Sequence, residues 1–137
     1  MTKKLKCYFA HPGRTKNTKE EAEIIDELKS RRIEVYNPFD DILNTRKSFL
    51  ENRTFKQARQ IWINDFKHVV NSDMVLAYQP VGTAGTGAEI IWAYIHHKFI
   101  QIISPIKHPL FAYVLTGGNQ QFETVEDWKH YRRLVWD

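Results

Sequence analysis

The sequence predicts an α/β three-layer sandwich, a parallel sheet of about five strands with helices on both faces. Three observations predict it. Strand-like runs alternate with stretches of helical periodicity along the chain. The central strand candidates, SDMVLAYQP and KFIQIISP, are apolar in continuous runs, as strands covered on both faces must be. Finally, 137 residues with 42% hydrophobic and 13% aromatic content suffice for one sizeable core, so a single domain over 1–137 is expected.

The elements follow in order. LKCYFA (5–10) is a first strand. TKEEAEIIDELKSRR opens with Thr18 and Glu21 at capping-box spacing, and Ala22, Ile25 and Leu28 fall on one helical face. IEVYNP (33–38) is a second strand, stopped by Asn37 and Pro38. The polar stretch 39–53 reads as a loop with a short helix. From Thr54 to Asn71 a helix carries Ala58, Ile61, Trp62, Phe66 and Val69 or Val70, and the strand 72–80 follows. A glycine-rich turn and an apolar helix come next, then a fourth strand over 98–105 and a helical or irregular segment around 108–116. QFETV is a short fifth strand and VEDWKHYRRLVW a closing helix. This alternation is flavodoxin-like or Rossmann-like, with no internal repeat, low-complexity tract or linker.

Twenty Lys and Arg against 16 Asp and Glu give a net charge of +4. That suits a small anionic ligand and falls short of the basic density of a nucleic-acid-binding surface, so no nucleic-acid partner is expected. Cys7, the one cysteine, has no internal disulfide partner and lies in the first strand, which implies a buried thiol in a reducing, cytoplasmic setting. MTKKLKCYF is not a signal peptide, and no run approaches the roughly 18 apolar residues of a membrane span, so no membrane partner is expected. His96, His97 and His108 lack Cys or carboxylate companions at ligand spacing, so no metal is expected, and no motif asks for another cofactor.

PVGTAGTGAEIIWAYI (80–95) is where chemistry concentrates. Ligands of open parallel sheets gather outside the carboxyl ends of the strands, and this turn follows the central strand. Gly82, Gly85 and Gly87 allow close backbone approach, and free N–H groups at the helix start attract an anion. The order G-x-x-G-x-G is neither a P-loop nor a dinucleotide fingerprint. Glu89 has two readings. With Thr86 it has capping-box spacing and would brace the helix start, worth about 1 kcal/mol. Alternatively, the helix terminus keeps it ionised as an attacking carboxylate.

These residues resemble those of the nucleoside 2-deoxyribosyltransferase family, which includes the 2′-deoxynucleoside 5′-phosphate N-hydrolases. YFAHPGR and the block from Asn64 to Pro105, about half the chain, carry the likeness. Its specific parts are the pair Tyr8-Phe9 ending the first strand, Asp65 eight residues before Asp73, and Gly85-Thr86-Gly87-Ala88-Glu89. The resemblance implies that Glu89 attacks C1′ of a deoxyribose, releases the base and passes the sugar to water or to a second base, by chemistry parallel to a retaining glycosidase. It further implies a proton-handling role for Asp65 and an orienting hydrogen bond from Tyr8 to Glu89. Without it, Tyr8 reads as a core aromatic and Asp65 as a helix-surface carboxylate.

Substrate contacts are expected from Phe9, His11, Gly13 and Arg14 in the first strand and loop, and from Thr83, Gly85 and Gly87 in the turn. Arg14 stands where phosphate-recognising relatives carry an arginine, and a guanidinium grips phosphate bidentately. Thr83 stands where base-exchanging relatives carry an aspartate, whose charge would repel a phosphate. Both favour a deoxynucleoside 5′-monophosphate over a deoxynucleoside as the small-molecule partner. Read locally, Arg14 is also a solvated loop residue and Thr83 a turn-stabilising hydroxyl. TGGNQQFE stands where the transferases this chain resembles place an asparagine that completes a neighbouring subunit's site, so the resemblance implies that Gln120 or Asn119 reaches across an interface. Separately, IIWAYIHH is apolar nearly all round and suits burial in a homodimer or higher homo-oligomer. Trp62, Trp92, Phe9 and Phe39 are each candidates to stack on a base or to fill the core. Two other functions fit the same pattern, a non-catalytic nucleotide sensor and a ribonucleotide phosphoribohydrolase.

Overall fold

In the computed structural model, residues 4–41 and 54–131 are described; the helix expected within 39–53 and the part of the closing helix beyond Tyr131 fall largely outside them. The elements are β1 (Lys6–Ala10), a 3-10 turn (Gly13–Thr15), α1 (Lys19–Ser30), β2 (Glu34–Tyr36), a second 3-10 turn (Pro38–Asp40), α2 (Phe55–Val70), β3 (Met74–Tyr78), α3 (Ala84–Ile95), β4 (Phe99–Ile103), α4 (Pro109–Val114), β5 (Gln120–Phe122) and α5 (Val125–His130). All pairings are parallel, in the order β2-β1-β3-β4-β5. This is the expected α/β sandwich in its flavodoxin-like order. The chain leaves β1 toward β2 and returns on the other side as β3, so the loops after β1 and β3 part and open a crevice at their carboxyl ends.

Period-two alternation divides the core. Tyr8, Ala10, Val75, Ala77, Ile100 and Ile102 face α2, α3 and α4, where Val69, Ile90, Ala93, Phe111 and Val114 meet them. Cys7, Phe9, Met74, Leu76 and Ile103 face α1 and α5, where Ile24, Leu28 and Trp128 meet them. Burial pushes the Cys7 thiol up to about 12, as an inert core thiol requires. Among the described residues no helix is long and apolar enough to cross a membrane.

Three local expectations are corrected. On α1 the buried stripe is Glu21, Ile24 and Leu28, with Ala22 exposed. The helix is rotated so that Glu21 meets polar partners under the sheet end, which a purely apolar count of the face misses. Thr18 caps this helix by accepting from the Glu21 N–H, while the Glu21 carboxylate accepts from the Asn17 N–H. The fifth strand ends at Phe122, because Thr124 already caps α5. At α3 the cap is Thr83, which accepts from the Thr86 N–H. The helix therefore starts three residues before the expected Thr86 cap, and Glu89 lies in its second turn, beyond the reach of a capping box.

Ile90 and Ile95 share α3 but not its environment, being 0% and 56% exposed. Urea denaturation should show Ile90→Ala losing about 3 kcal/mol, whereas Ile95→Ala stays within about 0.5 kcal/mol of wild type.

Candidate active site

The crevice between the β1 and β3 loops holds two carboxyl groups and a phenol. β1 ends in residues that alternate between layers, so Tyr8 points toward α2 and α3 while Phe9 points the other way. α2 buries Ile61, Asp65 and Val69, one residue per turn, which places a carboxylate on an otherwise apolar stripe. α3 brings Glu89 over β1, and the Tyr8 hydroxyl donates a hydrogen bond to Glu89 Oε2. Tyr8, Asp65 and Glu89 are all buried, at 0%, 7% and 6% exposure.

Glu89 and Asp65 line one pocket of about 270 Å³. Pro12 and Gly13 from the β1 loop, Pro38 and Phe39 from the β2 loop, Ile61 and Trp62 from α2, and Thr83, Gly85 and Thr86 from the start of α3 make its walls. A larger cavity of about 550 Å³ lies on the other side of the α3 start and shares Thr83. Its walls are mostly apolar and include no carboxylate. The carboxyl groups thus belong to the smaller pocket.

Burial pushes the Glu89 carboxyl up to about 8. The Tyr8 hydrogen bond pulls the other way, and the charge of Asp65 adds to the rise. This corrects the expectation that the helix terminus holds Glu89 ionised: the dipole acts on the first turn, and in the second turn desolvation wins. Tyr8 is raised far above the ordinary phenol range by burial first and by Glu89 and Asp65 next, so it remains a donor. Two carboxyl groups that line one pocket oppose each other's ionisation, which is the direction in which Asp65 acts on Glu89.

The remaining expected contacts divide. Gly13, Thr83 and Gly85 line the pocket with Glu89. Gly85 lets the Trp62 ring pack close, since a Cβ there would sit 3.3 Å from it and the ring would have to shift slightly. Gly87 lines the larger cavity instead. Phe9 is fully buried on the opposite face of the sheet, so it cannot touch a ligand held by Glu89. His11 reaches the pocket wall, but its side chain is 0% exposed, and both ring nitrogens are engaged within the protein. Burial lowers its pKa below the ordinary histidine value. Arg14 is exposed on the turn that begins with Gly13 at the pocket rim. Gln120 lies on edge strand β5, two strands from β3, and is not among the pocket walls. Asn119 is committed to the Ile100 N–H and the Val114 carbonyl.

Sequence reasoning left Trp62 and Phe39 undecided between base and core, and it missed Pro38 and Thr86. Trp62 had a signal: it stands three residues before Asp65, on the same helix face. Phe39 had only its place after β2, at the ligand end of the sheet.

A buried carboxyl held at about 8 makes stability depend on pH. The folded form keeps the Glu89 proton over the range in which the unfolded chain loses it. The contribution is therefore full below the unfolded value near 4.5 and is lost as pH rises through about 8. Glu89→Gln keeps an acceptor for Tyr8 and has no charge to bury. Thermal unfolding should find it more stable than wild type above pH 8, by on the order of a few kcal/mol, with the difference shrinking toward pH 4.

No protein-family model matches the sequence, and no curated protein matches it. Solved structures do match its fold. A 2-deoxyribosyltransferase from the psychrotolerant bacterium Bacillus psychrosaccharolyticus superposes with a TM-score of 0.69 at 20% identity, covering 94% of this chain and 93% of its own. Clostridium botulinum CMP N-glycosidase, BcmB, superposes with a TM-score of 0.62 at 19% identity, covering 90% of this chain and 93% of its own. The chain shares the fold of these two enzymes over nearly their whole length.

Proposed function

We propose that the protein cleaves the N-glycosidic bond of a 2′-deoxynucleoside or its 5′-monophosphate through a glycosyl-Glu89 intermediate. The observation that carries this reading is the buried Tyr8–Glu89 hydrogen bond at the floor of a pocket that Asp65 also lines. The fold shared with a 2-deoxyribosyltransferase and a CMP N-glycosidase supports it, because both are named for chemistry at this bond.

In the proposed reaction, the proton that burial keeps on Glu89 first passes to Asp65. The Glu89 carboxylate then attacks C1′ as the C1′–N bond breaks, and the departing base takes that proton from the Asp65 carboxyl. Water, or a second base, then attacks C1′ from the vacated side and gives its proton to Asp65. The Glu89 carboxylate leaves, and the pair again holds one proton. Tyr8 fixes the attacking oxygen and offsets part of the rise in its pKa. Phe39 and Trp62 offer aromatic faces at the walls for the base. Gln120 stands away from this pocket, so any part it takes in the site requires a second copy. Ile95 and Tyr113, 56% and 62% exposed, offer apolar surface for such contact.

Glu89→Gln should fold yet release nucleobase at least about 10³-fold more slowly. Incubation of wild type with a 2-fluoro-2-deoxy analogue should leave a sugar adduct on the Glu89 peptide by mass spectrometry. Base release by the amide variant at wild-type speed would overturn the proposal. Sugar passing to an added free base distinguishes transfer from hydrolysis.

The substrate's 5′ end is read from Arg14 and Thr83. An exposed guanidinium beside Gly13, and a hydroxyl where a carboxylate would repel, suit a phosphate at the pocket rim. Arg14→Ala should raise KM for a deoxynucleoside monophosphate by about tenfold and leave KM for the matching deoxynucleoside unchanged. Equal effects on both would point to a nucleoside substrate.

A further inference from the structure

The pocket mouth is formed by two loops. Pro12 and Gly13 follow β1, and Pro38 and Phe39 follow β2. Among the described residues no backbone hydrogen bond joins them. Side chains do. His11 Nε2 lies 3.0 Å from Asn37 Oδ1 and 3.5 Å from Glu21 Oε2, while Nδ1 lies 2.6 Å from Thr15 Oγ1. The ring stacks on Phe9, centroids 4.1 Å apart, and meets Phe39 edge-on at 4.9 Å. Phe39 packs in turn on Gly13, where a Cβ would sit 3.9 Å from its ring.

The proton positions follow from the partners. Asn37 Oδ1 accepts from the Phe39 N–H at 3.1 Å, and Asn37 Nδ2 donates to Glu21 Oε2 at 3.4 Å. The amide is thus oriented with its oxygen toward the imidazole, so His11 Nε2 must carry a proton and donate it. Thr15 Oγ1 lies between Nδ1 and the Pro12 carbonyl, 2.7 Å away, and donates to one or the other. The Nε2 limb crosses from one loop to the other, whereas the Nδ1 limb stays within the β1 loop. The hydrogen bonds of His11 run to Asn37 and Thr15, and its ion-pair contact to Glu21, so the clasp is built on groups other than Tyr8 and Glu89.

We propose that His11 is a positioning residue that sets the mouth of the Glu89 pocket by clasping the β1 loop to Asn37 of the β2 loop, with Glu21 as anchor. This rests on the reading of that pocket as the nucleoside or nucleotide site. The clasp governs how the substrate is admitted and held, and the reacting groups stand on β1, α2 and α3 without it. Its loss is therefore felt in KM more than in kcat.

Two substitutions separate the limbs. In His11→Gln the amide falls near the position of Nε2 and keeps the cross-loop bond. In His11→Asn it falls near Nδ1 and keeps only the bond to Thr15. Asn37→Ala is a second variant that removes the cross-loop bond without altering the ring. Steady-state cleavage of a panel of 2′-deoxynucleoside 5′-monophosphates should give KM within about threefold of wild type for the Gln variant. The Asn variant and Asn37→Ala should each raise KM about tenfold with kcat within about threefold. Equal rises for Gln and Asn, or a fall in kcat with KM unchanged, would overturn the positioning role. An arm independent of activity is ¹⁵N NMR of the imidazoles, in which His11 should show a protonated Nε2 whose N–H exchanges slowly, and Asn37→Ala should lose that protection. A proton on Nδ1 alone would overturn the clasp. Absence of turnover by wild type on the whole panel would instead overturn the reading of the pocket, leaving the NMR arm to judge the clasp.

Discussion

The site depends on one carboxyl group being taken out of water. Glu89 is buried against β1, with the Tyr8 hydroxyl as its hydrogen-bond donor and Asp65 sharing its pocket. A carboxylate so placed is costly unless it is protonated or well partnered. The fold supplies a partner on the one strand flanked by both β2 and β3, which brings the phenol to the switch point of the sheet. A pKa near 8 records the balance: one good hydrogen bond, insufficient to offset burial and a neighbouring charge.

Around this carboxyl the rest of the crevice is arranged by ordinary packing. The glycines that look in sequence like a ligand-cradling turn are mostly inside the first turns of α3, since Thr83 starts the helix early. Gly85 admits the Trp62 ring, and Trp62 then forms a pocket wall three residues from Asp65 on α2. Phe66 stacks on Trp92 behind it, holding α2 and α3 together. A local feature that reads as a binding motif thus works partly by letting two helices approach.

How much was legible in the sequence follows the range of the interactions concerned. The layers and the parallel sheet were readable because apolar runs of strand length between helical periods leave few alternatives, whereas the order β2-β1-β3-β4-β5 was not, since the pattern fits flavodoxin-like and Rossmann-like orders alike. Tyr8, Asp65 and Glu89 were reached through the spacing of a family pattern, and the structure brings them together. The helix start at Thr83 was not reached, because two threonines three residues apart offer competing caps, and only the packing of Glu89 against Tyr8 decides between them. Phe9 was misassigned to the substrate for lack of a known sheet face: adjacent strand residues point opposite ways, and the pattern named both. The contacts of Asn37 with Glu21 and with His11 join positions 16 and 26 residues apart, which no local periodicity relates.

The polar side chains beneath the β1 and β2 loops divide between the two faces of the sheet. His11, Asn37 and Glu21 are buried and bonded to one another, so they occupy the sheet end on the α1 side without offering groups to a ligand. The same sheet end on the α2–α3 side has Glu89 and Asp65 lining open space. The strands between the two sides present alternate residues to each, so the polar groups of β1 are sorted by parity: Tyr8 to the reacting side, His11 beyond the last bonded pair to the supporting side. Polar groups bonded to one another stiffen one side of the sheet end, and carboxyl groups line the pocket on the other. This division gives one short parallel strand both a scaffold and a reactive face.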